Sequence, residues 1–325
     1  MLVYLLITER CNLHCSFCIR GKQLGKELTL DELEHAAWIG DLHHHDVVIT
    51  GGEPTLNPEF GKIVNFISER AKHTIITSNG TMKNLVSDQF DPHKVLFQIS
   101  IDGPQDVHNE IRGDNAFQRS WDILHMLADK QLNYCVASVV NRANMGAMTE
   151  LANELKTLPG LAYWKLSSEM PFGDADIKDV ITAKEWNQFV KDIIAIAQVR
   201  LNIRKLFPFD LFDKHYEELE HSLDKIRTNC GSGKTKCYIY PDMSVYPCTC
   251  LTDFCIGNAR KNTLEEIIYG LQNKRFLNYT VEEDTRCKDC KYLKFCNGGC
   301  IGMSYHFTKR LGAEDIRCPL LEENA

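Results

Sequence analysis

Residues 11–18 read Cys11-Asn12-Leu13-His14-Cys15-Ser16-Phe17-Cys18, a few residues after the apolar run Leu2 to Ile7. Three thiols spaced three and then two residues apart can wrap one corner of a cuboidal iron-sulfur cluster and leave its fourth iron without a protein ligand. An open iron invites a cofactor or substrate. The stretch also decides the fold, because a ligand loop just past a first short strand lies where a βα barrel gathers its reactive groups. On these three residues alone zinc competes, although it wants four ligands and usually takes paired CxxC. A disulfide framework is disfavoured, since the chain shows no secretory signal and three cysteines cannot all pair with one another.

Outward from this loop, residues 1 to about 170 alternate short β-like runs with amphipathic stretches, the pattern of βα units around a parallel sheet. The strand expectations are Leu2 to Ile7, Asp46 to Thr50, Thr74 to Thr77, Val95 to Ser100, Tyr134 to Val140 and Tyr163 to Ser167. Six strands suit a partial barrel. Thr29-Leu-Asp-Glu32 is a capping box before a helix using Leu30, Leu33 and Ala37, and Asn115 to Lys130 carries Trp121, Leu124 and Ala128 at helical spacing. Pro171 to Asp174 reads as a loop, Thr182-Ala-Lys-Glu185 as a second capping box, and the helix behind it runs to roughly Val199. Residues 200–229, with Pro208 and charges through Lys225, read as a connector with some helix and no assigned chemistry. The run His43-His-His45 precedes strand two, opposite the reactive end, and reads as a solvated loop.

At 325 residues and 44% hydrophobic content the chain can hold one large barrel or two modest domains. A net charge of -7 argues against nucleic acid as the main partner. No apolar stretch approaches the ~20 residues that span a bilayer, so a cytoplasmic protein is expected. Fourteen cysteines without an export signal favour metal or cluster ligation over disulfides.

The C-x3-C-x2-C spacing, with Phe17 before its last cysteine, resembles the signature of the radical S-adenosylmethionine (SAM) family. In that family the free iron chelates the methionine end of SAM, and cluster reduction cleaves SAM to a 5'-deoxyadenosyl radical that abstracts hydrogen from substrate. Thr50-Gly51-Gly52-Glu53-Pro54 is similar to the family's GGEP element, which implies a hold on the methionine ammonium group. Thr77-Ser78-Asn79-Gly80, Ser100-Ile101-Asp102-Gly103 and Glu110-Ile-Arg112-Gly113 fall in the family's order. By resemblance they assign Ser78, Asn79, Ser100, Asp102 and Arg112 to the carboxylate and ribose of SAM. Read as bare sequence, the same segments are turn signals and Arg112 a surface charge.

From Cys230 onward cysteine becomes dense. Cys287-x2-Cys290-x5-Cys296-x3-Cys300, then Cys318, resembles the SPASM domain, an auxiliary-cluster extension of radical SAM enzymes that modify peptides. Cys230, Cys237, Cys248 and the hairpin Tyr240 to Cys248 complete the resemblance, although Met243 stands where glycine is usual. Transferred by position, one auxiliary cluster takes Cys230, Cys237, Cys248 and Cys300, the other Cys287, Cys290, Cys296 and Cys318. Cys250 or Cys255 can replace Cys230 or Cys237, pack beside the cluster, or donate a hydrogen atom to a substrate radical. Cys135 reads as a small core residue.

The expected organisation is therefore an α/β partial (β/α)6 TIM-like barrel over 1–200, a connector over 201–229, and a cysteine-rich SPASM domain over 230–325. The resemblance implies SAM, three 4Fe-4S clusters, a peptide or protein substrate, and an electron donor such as flavodoxin or ferredoxin. Because the chain starts directly with strand one, leader recognition is expected from a separate protein or from the barrel's open edge. Thr249, where sulfatase maturases place an aspartate, argues against a sulfatase substrate. A small-molecule radical dehydrogenase, and a non-catalytic iron-sulfur carrier or zinc protein, are the competing classes.

Overall fold

The sheet begins with six parallel strands: β1 (Leu2–Leu6), β2 (Asp46–Thr50), β3 (His73–Ser78), β4 (Val95–Ser100), β5 (Asn133–Val140) and β6 (Leu161–Ser168). These bounds match the six expected spans to within two residues. The computed structural model describes residues 1–20, 25–87, 89–172, 180–221 and 230–322. The expected loop at 171–174 and connector at 201–229 fall partly outside them.

Successive strand side chains point to opposite faces, so the apolar positions recurring every second residue share one side. Val3, Leu5, Val47, Ile49, Ile76, Phe97, Ile99 and Val136 are buried there beneath the outer helices. Helix α1 (Leu30–Glu34) carries the Thr29/Glu32 capping box, and a 3-10 turn over Ala37–His44 follows it. Helices α2 (Phe60–Arg70), α4 (Ala116–Asp129) and α5 (Met148–Leu155) each bury an apolar stripe, such as Ile63, Val64 and Ile67 of α2, whereas α3 (Gln105–Arg112) buries His108, Ile111 and Arg112. The capping box at Thr182 opens α6 (Ala183–Ile196), which stops short of Val199. The three histidines precede β2 at its amino end, as expected, where His45 Nδ1 meets the chain's terminal amine.

Four more strands widen the sheet. Leu201–Asn202 forms β7 on the outer edge of β6, inside the expected connector. On the other side β8 (Lys236–Ile239) runs parallel to β1, and β9 (Ser244–Tyr246) and β10 (Gly257–Asn258) continue antiparallel. The order is β10-β9-β8-β1-β2-β3-β4-β5-β6-β7. The cysteine-rich segment thus extends the barrel's own sheet. In the β8–β9 turn Met243 adopts φ +66° and is fully buried, and its N–H donates to Tyr240 O at 2.8 Å. That is a three-residue hairpin closed by a left-handed residue, a position that usually takes glycine. No helix among the described residues is long and apolar enough to cross a membrane.

Candidate active site and cluster-binding cysteines

Past β2 the chain turns back over the residues preceding Cys11. Gly52 N–H donates to Thr8 O (2.9 Å) and Glu53 N–H to Arg10 O (2.7 Å). A Cβ on Gly51 would lie 2.4 Å from Thr8 O, and one on Gly52 2.2 Å from Arg10 O. The two glycines therefore let this loop lie backbone against backbone on the cysteine loop. Pro54 opens a 3-10 turn over Pro54–Leu56, capped by Glu53.

Glu53 is fully buried. Its Oε1 accepts from Thr55 Oγ1 (2.7 Å), Thr55 N–H (3.3 Å) and Ser78 Oγ (2.7 Å), and its Oε2 from Asn79 N–H (2.8 Å). Burial pushes the carboxyl pKa up, and these donors oppose the rise. Asn79 closes a ring of side-chain hydrogen bonds. Its Nδ2 donates to Asn12 Oδ1 (2.9 Å), Asn12 Nδ2 to Thr81 Oγ1 (2.8 Å), and Thr81 Oγ1 to Asn79 Oδ1 (2.7 Å). Asn79 thus ties the end of β3 to the loop bearing Cys11, and Ser78 ties it to Glu53.

Beyond β4, Asp102 is fully buried and ion-paired to Arg112 through its Oδ2, while its Oδ1 accepts from Val139 N–H at 2.8 Å. Arg112, at the end of α3, is buried rather than a surface charge. It reaches Cys15 Sγ (3.8 Å) and lies 5.5 Å from the Phe17 ring centre. Burial acts to lower the arginine pKa, but Asp102 and Cys15 hold it above its ordinary value. Burial likewise raises the Cys11 and Cys15 thiols, the latter to about 11, against the pull of Arg112. Ser100 is half-buried at the strand end beside this group. Phe17, Gly51–Pro54, Ser78, Asn79, Asp102 and Arg112 therefore gather about the loop of Cys11, Cys15 and Cys18, with Ser100 two residues before Asp102 at the end of β4.

The carboxyl-terminal cysteines form two groups. Cys287, Cys290, Cys296 and Cys318 line one cavity with Phe207 and Phe209. The connector supplies those aromatics and more: Phe209 stacks on Tyr292 at 4.3 Å, and Phe212 and Tyr216 pack on Phe295. Sequence reasoning missed this role because aromatics in a polar connector carry no ligand signal.

The second group corrects one expected ligand. Cys237 is fully buried in the hydrophobic core, paired with Val3 and pointing to the helix side of β8. Its neighbours Lys236 and Tyr238 face the other side, where Tyr238 stacks on Tyr4 at 4.4 Å. Cys230, Cys248 and Cys300 all act on Lys236 there, so Cys237 cannot join them without turning the strand over. Cys250 lies on that side instead. Its thiol hydrogen-bonds Cys248, which holds Cys248 down to about 6 and pushes Cys250 up. A Cβ on Gly302 would meet both Cys250 Cβ (3.2 Å) and Cys300 Sγ (3.7 Å). Ser232 lies 3.1 Å from Cys230 Sγ and also hydrogen-bonds Cys248. Cys255 is exposed, its thiol on Gly257 O. Cys135 is buried, as expected, against Tyr163.

Other residues of the site also escaped sequence reasoning. Asn12 and Thr81 complete the Asn79 ring. His108 is fully buried and accepts Asp102 N–H on Nδ1 (3.0 Å), and Asn144 Nδ2 donates to Asp102 O (2.9 Å). Only their spacing from Asp102 could have hinted at them.

Residues 5–153 match the Radical SAM superfamily, and residues 230–291 match SPASM, described as an iron-sulfur cluster-binding domain. The sporulation killing factor maturation protein SkfB of Bacillus subtilis (strain 168) is 25% identical over 80% of this chain, which spans 63% of that protein. The Fe-coproporphyrin III synthase of Methanosarcina barkeri (strain Fusaro / DSM 804) is 23% identical over 98% of this chain and 87% of its own. The crystal structure of Streptococcus suis SuiB bound to precursor peptide SuiA superposes with a TM-score of 0.78, covering 98% of this chain and 75% of that one at 17% identity. With three cysteines at the mouth of a partial barrel and a cysteine-rich extension of its sheet, the chain carries a radical SAM region over residues 5–153 and a SPASM region over residues 230–291.

Proposed function

We propose that this chain modifies a peptide substrate by radical SAM chemistry, in the manner of ribosomal-peptide maturases. The observation that carries the reading is the convergence of three strand ends on the Cys11–Cys18 loop, through Glu53, the Asn12–Asn79–Thr81 ring and the Asp102–Arg112 pair. The likeness to SkfB and to the SuiB–SuiA complex supports a peptide as substrate.

Three thiolates, a soft donor set beside a buried guanidinium, fit a cluster that keeps one iron open. Cys11, Cys15 and Cys18 would hold it. SAM bound there would supply, on reduction, the radical chemistry that removes hydrogen from the substrate. The protein's share is positional. Arg112, fixed by Asp102, offsets the negative charge of the thiolates. Phe17, the Gly51–Pro54 loop, Ser78, Asn79, Ser100 and Asp102 shape the SAM site. Because the Ser78 hydroxyl is already engaged with Glu53 and the Asn79 carboxamide with Asn12 and Thr81, Ser78 and Asn79 act chiefly as positioning residues. The cavity of Cys287, Cys290, Cys296 and Cys318 would hold one auxiliary cluster; Cys230, Cys248, Cys250 and Cys300 would hold the other. With Thr249 in place of an aspartate, a sulfatase is disfavoured as substrate. A flavodoxin or ferredoxin would supply the electron, and a separate protein could present the peptide leader.

The test is anaerobic reconstitution with iron and sulfide, then iron counting and a dithionite assay for 5'-deoxyadenosine with and without candidate peptides. About twelve irons per chain and peptide-stimulated 5'-deoxyadenosine are expected. Stimulation by a porphyrin or another small metabolite and by no peptide would move the enzyme to the small-molecule class. No SAM cleavage by fully loaded protein would reduce it to an iron-sulfur carrier.

A further inference from the structure

The barrel lumen carries a polar row that the cluster and SAM assignments leave unused. Gln98 Nε2 donates to Thr77 Oγ1 (3.2 Å), and Lys165 Nζ donates to Gln98 Oε1 (3.4 Å). Lys165 stands in register with Ala137, and Ala137 with Ser100, so the lysine lies in the layer of Ser100, the last residue of β4, three residues before the carboxyl end of β6. It is half-buried, and among the described residues its one hydrogen-bond partner is that neutral amide, with no carboxylate in ion-pair reach.

A second lysine, Lys236 on β8, faces the same lumen. Burial lowers the Lys165 pKa and repulsion from Lys236 lowers it further. Lys236 has the thiols of Cys230, Cys248 and Cys300 around it; Lys165 has no such anions apart from the protonated Cys135. A desolvated ammonium without a counter-charge is costly, and an anion entering the lumen would remove the cost.

We propose that Lys165 is a specificity determinant that receives the side-chain carboxylate of an aspartate or glutamate in the peptide. This rests on the peptide reading above. The methionine carboxylate of SAM offers the same chemistry, and the test separates the two sources.

A displayed library of random dodecapeptides is panned on the reconstituted protein with SAM, alongside Lys165→Met and Lys165→Arg, and SAM affinity is measured on each by equilibrium dialysis. The expected result is an enrichment of Asp or Glu over Asn or Gln of about fivefold at one peptide position, the scale of a single charged contact. It should vanish in Lys165→Met and persist in Lys165→Arg. An acidic preference unchanged in Lys165→Met, or none in the parent, overturns the proposal. So does a roughly tenfold loss of SAM affinity in Lys165→Met, which would give the lysine to the cofactor. A loaded, SAM-cleaving parent that retains no peptide would sink the peptide reading itself, and this proposal with it.

Discussion

The Asn79 carboxamide donates to the Asn12 side chain across 2.9 Å, joining the end of β3 to a residue set between Cys11 and Cys15. The ring it closes through Thr81 is almost wholly buried on the Asn79 side, so a missing member leaves polar groups without partners. Asn79→Ala strands Asn12 Oδ1 and removes the acceptor of Thr81. It is expected to lower the stability of the cluster-free protein by about 1–3 kcal/mol and to slow iron uptake at Cys11. Urea unfolding and the rate of reconstitution check both, and an unshifted midpoint would deny the ring any structural weight.

His108 gives the fold an acid-sensitive point. Burial drives its pKa down to about 4, while an unfolded histidine titrates near 6.5. Between those values the unfolded chain holds a proton that the folded chain refuses. The stability is therefore fully present above pH 6.5 and is lost as pH falls through 4, by about 3 kcal/mol. Carboxylates titrate in the same window, so the readout is a difference. His108→Gln should flatten the pH slope of unfolding between 6.5 and 4 relative to the parent, and equal slopes would refute the assignment.

The strands were legible because their signal is local, as is the spacing of Cys11, Cys15 and Cys18. Apolar residues at period two mark β1 to β6, and three cysteines in eight residues need no tertiary information. What each polar side chain touches is not local. Gly51 and Gly52 read as openings for a ligand, yet the backbone they admit is that of Thr8 and Arg10. Arg112 reads as a surface charge unless Asp102 is known to lie against it. Met243 shows the limit of residue-type rules: a buried side chain can hold a turn in the left-handed region without glycine. Phe207 and Phe209 sat in a segment with no chemical signal because their role depends on cysteines some eighty residues further along.

Arg112 and Asp102 form a buried pair, so removing one partner leaves the other charged and without compensation. Arg112→Met should cost about 3–5 kcal/mol in the cluster-free protein, more than the net contribution of the intact pair. Arg112→Lys keeps the charge but not the fork that serves Asp102 and Cys15 together, and should fall between. Chemical denaturation orders the three proteins. Equal stability of Arg112→Met and the parent would mean Asp102 is protonated or solvated rather than paired.

Lys236 and Cys237 are adjacent in sequence and face opposite sides of β8, and that alternation decides which cysteines can share a cluster. Cys237→Val replaces one small buried apolar group by another. It should change stability by less than about 1.5 kcal/mol and leave the iron content near twelve per chain. Cys250→Ala removes a thiol lying against Cys248 and Cys300, and should lower the iron content toward about eight and change the electron paramagnetic resonance of the reduced protein. Cys255→Ala, with its thiol exposed and turned to Gly257 O, should leave both unchanged. If Cys237→Val loses four irons while Cys250→Ala keeps them, the strand must be turned the other way in the loaded protein and Cys237 restored as the ligand.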